Sequence, residues 1–378
     1  MKVLYLLHTS GMDGSTISIL NLLTNINKTV IPIVVIPKGK NDKLVNLLKQ
    51  LKIKYYQCLR APFSAIPQEY SLFQKLIYLI KLYIKKIIYV ITILWIVKKE
   101  KPNLIHSNVG VLYEGFRIAK FLNIPHVWHL REYQDRDFNL NFLYGKKYFE
   151  KMLTSSYVIC ITNDIKEYFN LKSPKTTTIY NGIYKKEHIA LESKEKYFLC
   201  ASRITPSKKL EDAIKAFASF DANQKDKWEL IIAGNGEEEY TNYLKNLSYK
   251  LKCQSNIKFV GLQSSDSVFL LMKKAAALIV ASQNEGFGRM TAEACFAGTM
   301  VIGRNTGGTR EILDKINACA FYTIPELVEK LYEISEAVNT DAYITRIKHS
   351  QFIAQQLYSI EQNVNNTFNF YKYIKQST

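Results

Sequence analysis

An α/β chain of two Rossmann-like domains is predicted by three features of the sequence. Short β-rich runs alternate with helical patterns of ten or more residues, which is the arrangement of βαβ units and a parallel sheet. The cycle begins at Lys2, is interrupted by the charged stretch Lys185–Lys196, and starts again at Tyr197. The length, 378 residues, is about twice that of a usual domain, so two cores are expected rather than one.

In order along the chain, Lys2–His8 is a buried-strand run, followed by the loop Thr9–Gly14, the amphipathic stretch Thr16–Ile26 and a second strand around Val30–Ile36. Leu104–Ser107, His126–His129 and Tyr157–Thr162 read as further strands, each with a helical segment after it. In the second half, strands fit Tyr197–Ser202, Leu230–Ala233, Ile257–Val260, Ala277–Ala281 and Met300–Gly303. Pro325–Ser335 and Asp341 onward read as packing helices. The expected boundaries are residues 1–188 for the first domain, completed by a C-terminal helix at 357–378, and residues 189–356 for the second.

Composition narrows the class. An apolar fraction of 47%, only 9 prolines and no low-complexity tract describe a chain that buries a core, not a disordered one. Six cysteines with no C-x-x-C pair argue against a disulfide framework and a structural zinc site, and read as reduced core thiols. The apolar run at the N-terminus is only about five residues, too short for a signal peptide, so a cytosolic protein is expected. The net charge of +18 is uneven: residues 1–190 hold 28 Lys and Arg against 12 Asp and Glu, whereas the remainder holds 23 against 21. A basic first half draws anionic partners, whether nucleic acid, acidic phospholipid or a phosphorylated substrate.

Within that half, Phe73–Val97 contains eleven uncharged residues, Ile87–Val97, preceded by Lys75, Lys81, Lys85 and Lys86. A spanning helix needs roughly 20 apolar residues, so the segment is too short and too interrupted. On a helical wheel the four lysines occupy an arc of roughly 140° and leave a broad apolar face. Two readings follow: a packing helix whose apolar face meets the sheet and whose lysines are solvated, or an interfacial helix touching an acidic membrane surface.

Four local patterns in the second half lie at the C-terminal ends of predicted parallel strands, where open α/β sheets bind ligands. They are Ser202-Arg203-Ile204-Thr205-Pro206-Ser207-Lys208-Lys209, Ala233-Gly234-Asn235-Gly236, Glu285-Gly286-Phe287-Gly288, and Glu293 eight residues beyond Glu285. Together and in this order they resemble the nucleotide-sugar domain of the retaining family 4 glycosyltransferases of GT-B fold, whose signature is two glutamates separated by seven residues. Thr306-Gly307-Gly308-Thr309-Arg310-Glu311-Ile312 is similar to the family's next block. The likeness is strong over residues 195–315 and weaker before, where Gly11, Gly14, His129 and Asn181-Gly182 stand at family-like places.

The resemblance implies two Rossmann-like domains facing each other across a nucleotide-sugar cleft, and transfer of a hexose from a nucleotide sugar, with UDP as the default nucleotide. It implies Arg203 and Lys208 on the diphosphate, where fixed cations stabilise a leaving group as it gains charge. Glu293, read at the start of a helix, would accept from the ribose hydroxyls, and Glu285 would bind sugar hydroxyls. The backbone of Gly286, Phe287 and Gly288 would offer N–H groups at a helix N-terminus, with Gly234 and Gly236 also in the donor site. In the first domain, the loop carrying Gly11 and Gly14 would approach the diphosphate or be a plain βα turn, and His129 would lie over the donor sugar.

Departures from the family pattern are His129-Leu130 where His-Asp is frequent, Lys209 where Gly often follows the lysine, and Gly298-Thr299-Met300 in place of Gly-x-Pro. Lys209 leaves two phosphate lysines to choose between, of which Lys208 has the commoner spacing from Arg203. Asp135-Arg136-Asp137 is a D-x-D of the kind that holds a divalent ion under phosphates, but it lies in a polar region after His129, so no metal or other cofactor is expected. The competing classes are a GT-B sugar-nucleotide epimerase or hydrolase, and a basic nucleic-acid binder. The latter lacks any RNP, zinc-finger or helix-turn-helix pattern, and Lys outnumbers Arg. A basic acceptor domain fits a saccharide or lipid-linked saccharide acceptor, and the resemblance implies bacterial capsule, lipopolysaccharide or exopolysaccharide synthesis.

Overall fold

The computed structural model describes residues 1–39, 43–59 and 61–377 and divides into two compact units: Met1–Gly182 with Ile360–Thr378, and Ile183–Ser359. In the first unit, β1 (Lys2–Leu6), β2 (Ile31–Pro37), β3 (Lys54–Cys58), β5 (Leu104–Ser107), β6 (His126–Leu130), β8 (Tyr157–Cys160) and β9 (Thr176–Thr178) form one parallel sheet in the order β3-β2-β1-β5-β6-β8-β9. β4 (Ala65–Pro67) and β7 (Leu140–Phe142) make a separate antiparallel pair. The interior strand β1 is buried on both faces, which explains its unbroken apolar sequence; Leu4 pairs with Ile33 on one side and Ile105 on the other.

Helices cover both faces. Val3, Tyr5, Val34 and Ile36 meet α1 (Gly14–Asn25), α2 (Lys43–Gln50) and the final helix of the chain, Ile360–Ser377, which contributes Val364, Phe370, Tyr371 and Ile374. Leu4, Leu6, Ile33 and Val35 meet α3 (Leu72–Glu100) through Tyr89, Ile93, Ile96 and Val97.

The orientation of α3 corrects the packing-helix reading made above. A capping box of Ser71 and Gln74 starts it, and Lys101, left-handed at φ 51°, stops it just before Pro102. The face turned inward holds Leu82, Lys86, Tyr89, Ile93, Ile96 and Val97. Lys86, expected in solvent, is buried with its Nζ 3.1 Å from Glu114 Oε1. The broad apolar face points outward instead.

In the second unit, β10 (Glu195–Ala201), β11 (Glu229–Ala233), β12 (Ile257–Gly261), β13 (Ala275–Val280), β14 (Met300–Arg304) and β15 (Cys319–Phe321) form a parallel sheet in the order β12-β11-β10-β13-β14-β15. Alternate residues of β10 divide between its faces. Phe198 and Cys200 pack with Phe217, Phe220, Trp228 and Leu331, and Tyr197, Leu199 and Ala201 with Met272, Ala294 and Leu313. The charged stretch before β10 is mostly exposed, but it is stitched to this unit at two points. Ala190 N donates to Phe296 O at 3.0 Å, and Lys194 is buried with its Nζ on Lys273 O, so that burial depresses its ammonium to about 8. All six cysteines are buried and free.

His126 shows how the first unit responds to acid. Its ring is buried between Ser107 Oγ at 2.9 Å and Ser156 Oγ at 2.8 Å, and burial pushes it down to about 3. A histidine neutral when folded but protonated below about pH 6.5 when unfolded stabilises the fold above that pH, and the stability is lost as pH falls. Buried Glu132, raised to about 7 mainly by desolvation, acts in the opposite sense, stabilising the fold at low pH and losing that contribution as pH rises through 7. We expect His126 to cost about 2 kcal/mol of stability between pH 7 and pH 5. Denaturant unfolding at both pH values should show that loss shrinking in His126→Asn and growing in Glu132→Gln; an unchanged pH dependence in both variants would contradict this assignment.

Candidate active site

The site in the second unit begins where two backbones run flush. Beyond β10, Ser202 N donates to Ala233 O at 3.0 Å and Ile204 N to Asn235 O at 2.8 Å, and Ile204 bridges to Gly236. A Cβ on Gly234, whose φ is 148°, would lie 1.8 Å from Ser202 O, and one on Gly236 would lie 1.8 Å from Ile204 O. Both glycines thus serve this close approach.

The chain then makes a 3-10 turn at Pro206–Lys208, and Lys209, left-handed at φ 50°, opens α7 (Leu210–Asp221). That reversal sends the two lysines apart. Lys208 Nζ lies 2.5 Å from Glu285 Oε1, whereas Lys209 Nζ lies 3.4 Å from Glu211 Oε1. Ser207 O also accepts from Gln283 N at 3.2 Å, tying this turn to the loop after β13. Arg203 is exposed and forms no ion pair among the described residues.

The Glu285 loop is held by the helix that follows β14. Gly308 N, near the start of α11 (Gly307–Ile316), donates to Glu285 O at 2.8 Å. Gly308 itself has no room for a side chain, since a Cβ would sit 2.7 Å from the Phe287 backbone. Gly286 and Phe287 lead to Gly288, at φ 84°, which caps α10 (Arg289–Phe296). The Phe287 ring is buried against Tyr358 at 5.7 Å between centroids, so its side chain is core and only its backbone faces the loop. The left-handed Gly288 starts the helix at Arg289, earlier than the sequence suggested. Glu293 therefore lies one turn inside α10 rather than at its start, buried, with Oε1 accepting from Arg289 Nε at 2.6 Å. Beside Gly288, the buried Thr309 Oγ1 has no hydrogen-bond partner among the described residues.

Sequence reasoning missed Arg304, which ties together elements that carry the site. It donates from Nε to Ala281 O at 2.9 Å and from Nη2 to Asp212 Oδ2 at 2.5 Å, joining β14, the end of β13 and α7. Its signal was a lone arginine at the end of a buried strand.

In the first unit, the loop with Gly11 and Gly14 joins β1 to α1. Gly11 N donates to Thr9 Oγ1 at 2.9 Å, and Asp13 caps α1 by accepting from Thr16 N at 2.8 Å, with Gly14 as the first helical residue. His129 is buried at the end of β6. Its Nδ1 is 3.2 Å from Arg131 Nη2 and 3.2 Å from His106 Nε2, and His106 Nδ1 is 2.7 Å from the Tyr371 hydroxyl. A guanidinium only donates, so Nδ1 is an acceptor and the ring proton sits on Nε2. That buried Nε2 has no hydrogen-bond partner among the described residues. Burial foremost, then the Arg131 charge, holds the imidazole well below its usual range, and therefore neutral. Arg131, which the sequence reading passed over, also reaches Asn108, Ser18 and Asn181.

The D-x-D carboxylates are used within the protein. Both oxygens of Asp135 accept from the Tyr168 hydroxyl, and Asp137 Oδ2 accepts from Tyr133 N at 3.0 Å. Among the described residues, no three His, Cys, Asp or Glu side chains are grouped to hold a metal ion.

The family model described as glycosyl transferases group 1 matches residues 184–346. An uncharacterized glycosyltransferase of Methanocaldococcus jannaschii is 31% identical over 42% of this chain and 45% of its own length. The O-antigen chain mannosyltransferase RfbU of Salmonella typhimurium is 32% identical over 40% of this chain and 41% of its own. The chain thus spans less than half the length of these curated relatives. Among solved structures, Anabaena Alr3699/HepE in complex with UDP superimposes with a TM-score of 0.79 at 18% identity, covering 99% of this chain and 100% of that one. A glycosyltransferase from Rickettsia africae does so with a TM-score of 0.79 at 18% identity, covering 100% and 99%. The fold is accordingly that of the GT-B glycosyltransferases, and residues 184–346 match the glycosyl transferases group 1 family model.

Proposed function

We propose that this chain is a retaining, metal-independent glycosyltransferase that moves a hexose from a UDP-sugar to a saccharide or lipid-linked saccharide in bacterial surface-polysaccharide synthesis. The observation that carries the reading is the Lys208–Glu285 contact, which sets a phosphate-seeking ammonium beside a hydroxyl-seeking carboxylate at the C-terminal end of a parallel sheet. The ammonium has three donors and the carboxylate two oxygens, so pairing with each other leaves both with capacity for a ligand. Arg203, exposed at the same strand end, adds a second cation for the diphosphate.

As the glycosidic bond breaks, negative charge grows on the diphosphate, and preorganised cations favour that state over the bound donor. The N-terminus of α10 adds backbone N–H groups of the same sense. These charges are the basis for proposing metal independence. His129, neutral and protonated on Nε2, is a hydrogen-bond donor suited to a sugar hydroxyl rather than a base. For the acceptor, the first unit offers a groove of about 520 Å³ at the end of β1, lined by His8, Thr9, Asp13, Lys38, Phe63 and Lys85. Its lysines suit a phosphorylated acceptor. Support for donor and setting comes from Alr3699/HepE, solved with UDP-glucose, and from the lipopolysaccharide outer core galactosyltransferase WaaB, both of this fold.

Arg203→Ala and Lys208→Ala should each lower turnover by at least about a hundredfold, one preorganised charge on a leaving group being worth roughly 3 kcal/mol. Lys209→Ala should stay near wild type, because that ammonium is turned to Glu211. Steady-state rates on variants with native circular dichroism decide this; near wild-type turnover in either of the first two would remove the site assignment.

Retention and metal independence are tested on the product. With the donor phosphate taking the acceptor's proton on the same face, an α-linked donor should give an α-linked product with unchanged yield in EDTA. A β-linkage by nuclear magnetic resonance would overturn the retaining mechanism, and activity lost in EDTA and restored by manganese would overturn metal independence.

A further inference from the structure

The outward face of α3 is apolar along most of its length. Phe73, Leu76, Ile80, Ile84, Ile87 and Ile91 recur at steps of three and four and lie opposite the buried stripe, so they form one line along the helix. They are not marginally exposed: Phe73 is 71% accessible, Ile87 62% and Ile91 63%. Trp95 continues the line at 54%. Exposed Lys81, Lys85 and Lys99 follow one edge of it, and Lys99 Nζ lies 4.8 Å from the Trp95 ring. Beside the stripe a groove of about 220 Å³ opens between Leu59 and the helix at Lys85, Ile88 and Tyr89.

A helix of 29 residues is about 43 Å long, and leaving such a stripe in water is unfavourable in proportion to its area. Two features of the molecule select the occupant. The lysine edge and the surplus of 16 positive charges in residues 1–190 oppose a second copy of the same face and complement anionic headgroups. The stripe also ends in a tryptophan beside lysines, side chains that suit the boundary between headgroups and acyl chains. No helix among the described residues is long and apolar enough to cross a membrane.

We propose that α3 docks the first unit on an anionic phospholipid bilayer, lying parallel to the surface with the Phe73–Trp95 stripe sunk to the acyl boundary and Lys81, Lys85 and Lys99 among the headgroups. The inference stands on the exposed face alone and does not depend on the donor site.

Tryptophan emission provides a local readout, because of the three tryptophans Trp128 and Trp228 are buried and Trp95 is exposed. The full chain, titrated with phosphatidylcholine vesicles containing about a third phosphatidylglycerol, should co-sediment and shift its emission to the blue. Raising sodium chloride from about 0.1 M to about 0.5 M, or omitting phosphatidylglycerol, should weaken binding severalfold. Ile84→Asp with Ile91→Asp, both on the solvent side, should keep native circular dichroism and lose at least about tenfold in vesicle partitioning. No co-sedimentation by the wild type, or binding without a Trp95 shift, would overturn the proposal. So would a dimer in vesicle-free solution that the double variant converts to monomer, since the face would then be a self-interface.

Discussion

The arrangement of the second unit depends on one steric constraint, the passage of the turn Ala233–Gly236 directly against the backbone of Ser202–Ile204. No side chain fits at Gly234 or Gly236 without colliding with a carbonyl oxygen. With the two loops in contact, backbone hydrogen bonds from Ser202 and Ile204 fix the path out of β10. The 3-10 turn then has one direction to take, and the left-handed Lys209 divides the lysine pair, one toward Glu285 and one toward Glu211. Two lysines that spacing alone does not tell apart are thereby given different partners by backbone geometry two residues wide.

The first unit is organised on the opposite principle, around buried polar groups. Arg131, with a guanidinium nearly out of solvent, joins Asn108 beyond β5, Ser18 on α1, Asn181 beyond β9 and His129 at the end of β6. Each acceptor here is a neutral oxygen or nitrogen. The cation is therefore solvated by the protein's own dipoles, and its charge adds to burial in keeping His106 and His129 neutral. Such a network is costly to leave half satisfied, so it fixes rotamers and tautomers together. The consequence for chemistry is a single defined donor, the Nε2–H of His129.

Much of this was legible in the sequence where a residue's neighbours in the chain determine its environment. The unbroken apolar runs of β1, β2, β10 and β13 are required by burial on both faces, and they marked a parallel sheet. β3, β9 and β15 escaped because they lie at or near sheet edges. Lys54-Tyr55-Tyr56-Gln57-Cys58 and Thr176-Thr177-Thr178 carry little apolar signal, and Cys319-Ala320-Phe321 is too short to give one. The rotation of α3 was illegible for a different reason. A wheel shows which face is more apolar, but the inward face is decided by Glu114 on the neighbouring helix Tyr113–Phe121, whose carboxylate makes burial of Lys86 tolerable. Of the candidate site, the E-x7-E spacing and the glycine turns were readable. Arg131 and Arg304 were not, since each acts through partners scattered along the chain.

The Lys208–Glu285 pair shows why a site of this kind tolerates opposite charges side by side. Both side chains keep some contact with solvent, at 17% and 23%, so the pair falls in the class whose net contribution to stability is small, on the order of 1 kcal/mol or less. Opening or sharing it with a ligand therefore costs little. Its effect is geometric: Lys208 would otherwise sample many rotamers, and Glu285 would be free on a loop. The pair, with Gly308 N–H on the Glu285 carbonyl and Gln283 N–H on the Ser207 carbonyl, limits that freedom before any ligand arrives. A charge already in position loses less entropy when it meets a developing anion and needs no reorganisation as the bond breaks. A weak ion pair is thus a suitable device here, strong enough to orient both groups and weak enough to leave them available.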